Sequence, residues 1–139
     1  MLSGRYNFNI NEKGRLFVPS KMRDSLGEKF ILSRSATDKC LVIYPTERWN
    51  TILDELMKNA TATKAVRRKL FGNAVEMEAD KQGRIIVPLE LREFADLTGE
   101  VVIVGIGDSA EVWNAEAYEQ KENAQDDEQS EKLLIELGL

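Results

Sequence analysis

The thirteen residues NEKGRLFVPSKMR at positions 11–23 return as DKQGRIIVPLELR at positions 80–92, a shift of 69. Under that shift Gly14, Arg15, Val18, Pro19 and Arg23 fall on Gly83, Arg84, Val87, Pro88 and Arg92. Asn11/Asp80, Leu16/Ile85 and Met22/Leu91 are conservative pairs in the same window. Five identities in so short a stretch would be weak evidence alone, but the match continues. VIYPTERW (42–49) meets EVWNAEAY (111–118) at the same shift, setting Tyr44 on Trp113, Glu47 on Glu116 and Trp49 on Tyr118. GEKFILS (27–33) and GEVVIVG (99–105) correspond at a shift of 72, so one loop has gained three residues that another has lost. The order of segments is the same in both halves, which makes this an internal duplication. Any fold for the chain must be built from two copies of one unit.

Each copy spells the same local structure. RYNFNI (5–10) alternates, with Tyr6, Phe8 and Ile10 on one face, as a half-buried strand does. NEKG and DKQG carry turn chemistry: Asn or Asp opens the turn through its side-chain oxygen, and Gly supplies the positive φ. RLFV and RIIV read as short strands. Pro19 and Pro88 suit the first turn of a helix, where a missing N–H costs nothing. SKMRDSL and LELREFADL are those helices, expected to stop near Gly27 and Gly99. KFILS and VVIVG then find hairpin partners in CLVIY and EVW, and a helix follows each, from near Pro45–Glu47 and near Ala115.

Residues 48–72 join the copies. Leu53, Leu56 and Met57 fall at helical spacing, as do Val66 and Leu70 with Phe71 beside it, so the spacing predicts a helical connector broken around NATAT (59–63). The terminal DDEQSEKLLIELGL reads either as an amphipathic helix grouping Leu133, Leu134 and Leu137 or as a tail without fixed structure. A unit of about 45 residues with such short strands cannot bury both faces of its own sheet. Two copies can, closing on each other as a pseudo-twofold barrel, with the connector tying together what another protein would assemble as a homodimer. The expected class is therefore α+β, mainly β: a duplicated barrel with short helices. Its divisions are a first repeat at 1–50, a connector at 51–72, a second repeat at 73–120 and an acidic helix or tail at 121–139.

The net charge of −5 hides an uneven distribution. Residues 115–139 hold eight acids and two bases, a net of −6, while residues 1–48 hold nine bases and five acids, a net of +4. Residues 58–69 add five bases and no acid, and residues 74–113 hold three bases and nine acids, a net of −6. The first copy is basic, the second acidic and the tail acidic, an asymmetry that can mark an interaction surface. No apolar run approaches the roughly 20 residues that span a bilayer, so no membrane partner is expected. MLSGRYNFNI lacks a signal peptide's apolar stretch, which points to the cytoplasm.

The chain has no histidine and a single cysteine, Cys40. This removes the commonest general base and transition-metal ligand, and makes Cys40 a buried structural thiol in a strand. No enzyme activity, cofactor, metal or small-molecule substrate is expected. GIGD (105–108) lacks the third glycine and following helix of a dinucleotide-binding turn.

Taken in both copies and in order, G-R-[LI]-x-V-P-x-x-x-R, opened each time by Asn or Asp four residues before its first Arg, resembles the MraZ family of bacterial transcriptional regulators. That family is similar in fold to AbrB and SpoVT, the swapped-hairpin barrel group. The resemblance covers almost the whole chain, from MLSGRYNFNINEKGRL through RRKLFGNAVEMEADKQGRIIVPLELR to VVIVGIGDSAEVWNAEAYE. Either copy alone would point only to an AbrB-like fold, which antitoxins share. The resemblance implies a sequence-specific DNA-binding regulator with two barrel halves per chain. It further implies assembly into a ring and action on short repeats upstream of cell-division and cell-wall genes. It places the DNA contact on D-x-x-x-R, here Asn11–Arg15 and Asp80–Arg84. The first copy departs from the pattern at Asn11, which can cap the turn but cannot hold Arg15 by a charge pair.

The residues themselves agree in part. A two-stranded ribbon fits the major groove, where an Arg at its tip can bind guanine bidentately for about 1–3 kcal/mol of discrimination. Arg15 and Arg84 are the candidates for that role, with Arg15 the stronger because Arg84 neighbours Asp80 in an acidic copy. Arg5, Lys13 and Lys21 would hold phosphates and fix register, and Lys81 is grouped with them. The competing reading of Arg15 and Arg84 is two solvated strand-end arginines. Arg23 and Arg92 lie near helix C-termini, where exposed carbonyls favour cations, and are read as structural. Arg67, Arg68 and Lys69 read as a solvated helix face or as a phosphate or intersubunit contact. Trp49, Trp113 and Tyr118 read as packing. The partners expected are double-stranded DNA carrying short direct repeats and further copies of the chain, at the nucleoid. The rival functions are an antitoxin-like DNA-binding protein of the same fold and a barrel that only oligomerises.

Overall fold

The computed structural model describes residues 1–124 and 127–139. The first repeat and the connector supply β1 (Arg5–Ile10), β2 (Arg15–Phe17), α1 (Ser20–Leu26), β3 (Lys29–Arg34), β4 (Leu41–Pro45), α2 (Thr46–Lys58) and α3 (Lys64–Phe71). The second repeat and the segment after it supply β5 (Val75–Glu78), β6 (Arg84–Ile86), α4 (Leu89–Ala95), β7 (Gly99–Gly105), β8 (Ala110–Asn114), α5 (Ala115–Ala124) and α6 (Glu128–Glu136). The connector is helical and breaks over 59–63, where Thr63 caps α3 by accepting a hydrogen bond from the Val66 N–H.

The strands do not pair within their own repeats alone. A six-stranded antiparallel sheet runs in the order β1-β7-β8-β4-β3-β5, and β2 pairs only with β6. Exchanging each strand for its counterpart in the other repeat leaves that order unchanged. The register places the symmetry axis: Leu16 lies opposite Ile85 and Val42 opposite Glu111, each pair being a residue and its own equivalent at the shift of 69. The hairpins β3–β4 and β7–β8 are intact, but each repeat's first strand is carried on the other repeat's hairpin, β1 on β7 and β5 on β3. This is the swapped-hairpin arrangement.

Three details differ from the local reading. Among the described residues β1 and β5 end the six-stranded ladder without pairing to each other, so hydrogen bonds do not close the barrel. Pro19 and Pro88 stand one residue before their helices, as caps with φ of −51° and −56°, so each fixes the entry to the helix and no helical donor is lost. α4 stops at Ala95 because Asp96 turns left-handed at φ 51°, and Gly99 instead opens β7.

One core serves both halves. Leu16, Val18, Met22 and Leu26 bury into the same cluster as their equivalents Ile85, Val87, Leu91 and Ala95. Each fully buried large aliphatic side chain stabilises by about 1.5–3 kcal/mol, and residues of both repeats contribute to the one cluster. The repeated aromatics form matching pairs, Tyr44 with Trp49 at 5.4 Å and Trp113 with Tyr118 at 5.9 Å between ring centres. Cys40 is fully buried, and burial, with Glu111 nearby, pushes its thiol up to about 12. α6 is a helix whose residues, like all of 127–139, are exposed. Among the described residues no helix is long and apolar enough to cross a membrane.

Candidate nucleic-acid interface

The two turns that open β2 and β6 are built alike. Asn11 Oδ1 accepts hydrogen bonds from the Lys13 and Arg15 N–H groups at 3.0 and 2.9 Å. Asp80 Oδ1 accepts from Gln82 and Arg84, both at 2.9 Å. In each turn the glycine N–H donates back to the Asn or Asp carbonyl, and Gly14 and Gly83 take φ of +83° and +82°. A side-chain oxygen and a glycine thus lock the backbone from which each arginine leaves.

The ribbon joins these turns across the two repeats. Arg15 lies opposite Ile86, and Phe17 opposite Arg84. Leu16 and Ile85 point into the core, so alternation turns Arg15, Phe17, Arg84 and Ile86 to the outer face. Arg15 and Arg84 are diagonal neighbours there, about 7–8 Å apart. The tips are stitched to the opposite copy: Val18 N–H donates to the Gly83 carbonyl at 2.9 Å and Val87 N–H to the Gly14 carbonyl at 2.8 Å.

The arginines differ in one respect. Arg84 Nε donates to Asp80 Oδ2 at 3.2 Å, whereas the Arg15 side chain has no hydrogen bond or ion pair among the described residues. The Arg84 N–H, then the Gln82 N–H and the Arg84 guanidinium, hold the Asp80 carboxyl below the usual carboxylate range. Asn11 reproduces the backbone half of this arrangement and omits the charge half.

Lys13 and Lys81 are exposed on the turns themselves, and Lys21 is exposed in the first turn of α1, close in sequence to the stitch between Val18 and Gly83. Arg5 is elsewhere. It begins β1, about 20 Å along the strand from Asn11 at 3.3 Å per residue, and its guanidinium sits 4.8 Å over the Tyr118 ring. Six of the eight expected residues therefore gather at the ribbon and its turns, while Lys21 stands on α1, which follows β2, and Arg5 lies away from them.

Two features escaped the sequence. Phe17 and Ile86 are 44% and 60% exposed between the arginines, apolar side chains on the outer face. Arg23 and Arg92 do lie in the last turns of α1 and α4, but their guanidiniums brace the turns. Arg92 Nε donates to the Val87 carbonyl at 2.9 Å and its Nη1 to the Glu12 carbonyl at 3.2 Å, in the opposite repeat's turn. Arg23 Nε donates to the Val18 carbonyl at 3.2 Å, and a Cβ on Gly83 would stand 2.8 Å from Arg23 Cζ. The signal was present in the sequence, since both arginines belong to the repeated motif.

The site is thus a short cross-repeat ribbon presenting two arginines, which defines the duplicated class of swapped-hairpin proteins. The family model described as "MraZ protein, putative antitoxin-like" matches this sequence at residues 1–71 and again at 70–134. The chain belongs to the MraZ family. It is 43% identical to the transcriptional regulator MraZ of Heliobacterium modesticaldum over 96% of this chain and 97% of that one. It is 40% identical to that of Acetivibrio thermocellus and 37% to that of Clostridium tetani, over the whole length of each.

Proposed function

We propose that the chain is a transcriptional regulator of the MraZ type that grips double-stranded DNA through the β2–β6 ribbon. The observation that carries this is the outer face of the ribbon. Two arginines stand there about 7–8 Å apart, each on a turn locked by the same pair of hydrogen bonds from backbone N–H groups to a side-chain oxygen. Arginine forks held this way suit guanine O6 and N7 in the major groove. Arg15, with no carboxylate partner among the described residues, carries more of the contact than Arg84, which must leave Asp80 to reach a base. Lys13, Lys81 and Lys21 hold flanking phosphates, while Arg5 serves only outside the ribbon's footprint.

One such ribbon on an acidic chain binds weakly by itself. Several copies engaging repeated sites at once recover affinity through effective concentration. The functional form is accordingly a homo-oligomer, closed as a ring, on short direct repeats such as those upstream of cell-division and cell-wall genes, at the nucleoid in the cytoplasm. The chemistry on the ribbon is recognition, with no catalytic role for its side chains.

The test is a titration against a duplex carrying several short direct repeats and against a scrambled duplex, at two salt concentrations. The repeats should bind more tightly, both affinities should fall with salt, and Arg15→Ala should lose more than Arg84→Ala. Equal affinity for the two duplexes, or an Arg15→Ala variant that binds like the parent, overturns the reading.

A further inference from the structure

α6 and α3 are two helices that the chain's own fold leaves uncovered. At 100° per residue Leu133 and Leu134 of α6 and Leu137, which caps its C-terminus, share a stripe about 100° wide, with Glu131 on one flank and Glu136 on the other. These leucines are 48–66% exposed, and every residue from 127 to 139 is exposed. α3 shows the opposite chemistry. It carries Lys64, Arg67, Arg68 and Lys69 with no acid, while Val66 and Phe71 remain 43% and 39% exposed.

Beside α3 lies a cavity of about 510 Å³ between that helix, Phe94 of α4 and the loop that joins β3 to β4. Val66, Leu70 and Phe94 supply its apolar walls, and Arg34, Lys39 and Lys69 its charge. Asp38, the only acid lining it among the described residues, is already bound by Lys121 at 3.0 Å. The Arg34 guanidinium lies 4.6 Å over the Phe94 ring, and its Nε is buried without a hydrogen-bond partner among the described residues.

We infer that α6 of one copy docks in the α3 groove of a second copy. Its leucine stripe covers Val66, Leu70 and Phe94, and Glu131 and Glu136 meet the cations at the rim. The complementarity matches in both respects, since an apolar stripe flanked by acids faces an apolar floor flanked by bases. Donor helix and acceptor groove are different surfaces, so the contact is heterologous and repeats head to tail, closing wherever the rotation between copies allows. This rests on the homo-oligomeric reading above and names the segment that builds the oligomer.

The full-length chain provides the test by native mass spectrometry and sedimentation. Leu133→Asp spoils the donor and Lys69→Glu the acceptor, and both positions are exposed, so neither threatens the core. Each variant should assemble only at concentrations about tenfold higher than the parent or more. Mixed in equal amounts, the two should form a pair holding one of each, because the mixture contains one intact helix and one intact groove. If the parent assembles and both variants assemble equally well, the inference fails and the oligomeric reading stands. The inference fails in the same way if the mixture yields no pair, as it would were α6 to fold onto its own chain. A parent that remains a single chain overturns the oligomeric reading and the inference together.

Discussion

Replacing Asp80 by Asn would give the second turn the chemistry of the first, because Asn11 already holds its backbone through the same two hydrogen bonds. Asp80→Asn should therefore leave the fold intact and release Arg84, tightening binding to repeat-bearing DNA. Asn11→Asp should do the reverse by engaging Arg15. The pair also differs in acid response. The Asp80 carboxyl lies below its ordinary value, so its stabilising contribution is present above about pH 3.9 and is lost as pH falls through the depressed value. Acid titration followed by circular dichroism should show Asp80→Asn less sensitive below about pH 4 than the parent, since the ordinary carboxylate range lies there. The glycines separate as well. A Cβ at Gly14 would sit 2.6 Å from the Val87 carbonyl oxygen, whereas at Gly83 the nearest atoms belong to the Arg23 guanidinium, a side-chain end that can shift. Both carry positive φ, so each alanine variant costs about 1–3 kcal/mol, and denaturant unfolding should place Gly14→Ala at the larger cost. Cys40, with its thiol raised to about 12, should resist alkylation at pH 8 until the protein unfolds, which intact mass measurement reads directly.

At the level of elements, β2 and β6 are only three residues each, yet they hold the site. Leu16 and Ile85 anchor them from beneath, directly opposite each other. Leu16→Ala and Ile85→Ala should each destabilise by about 2–5 kcal/mol. Because the two share one contact, the double variant should cost other than the sum, by denaturant unfolding. These strands also mark where the sequence stopped being legible. Turns, helices and hairpins were readable because Asn11, Gly14, Pro19 and the apolar alternation act over a few residues. Which strand pairs with which was not, because β1 finds β7 and β5 finds β3 across the duplication. After their arginines RLFV and RIIV are apolar without alternation, so only the pairing with the other repeat decides that Phe17 and Ile86 face outward. Arg23 and Arg92 could be placed in their helices from sequence, but not their bracing of the turns, which depends on contacts such as that from Arg92 to Glu12, 80 positions away. The open ladder between β1 and β5 is likewise a matter of packing that no local pattern encodes.

For the whole molecule, the symmetric strand order predicts how its halves behave apart. A fragment of residues 1–72 can replace its missing partner with a second copy of itself, setting Leu16 against Leu16 and Val42 against Val42. The corresponding dimer of the second half sets Glu111 against Glu111, and like charges directly opposite are destabilising. Sedimentation and circular dichroism should find the first fragment folded as a dimer and the second dimerising more weakly. The pairing of Val42 with Glu111 therefore breaks the symmetry between the halves. A dimer of identical halves presents the same face when rotated by half a turn, and such proteins read palindromes. Once the halves are joined and allowed to diverge, with Asn11 on one side of the axis and Asp80 on the other, the face acquires a direction. A reader with a front and a back can follow sites that all point the same way along a duplex, which no symmetric dimer distinguishes from their reverse.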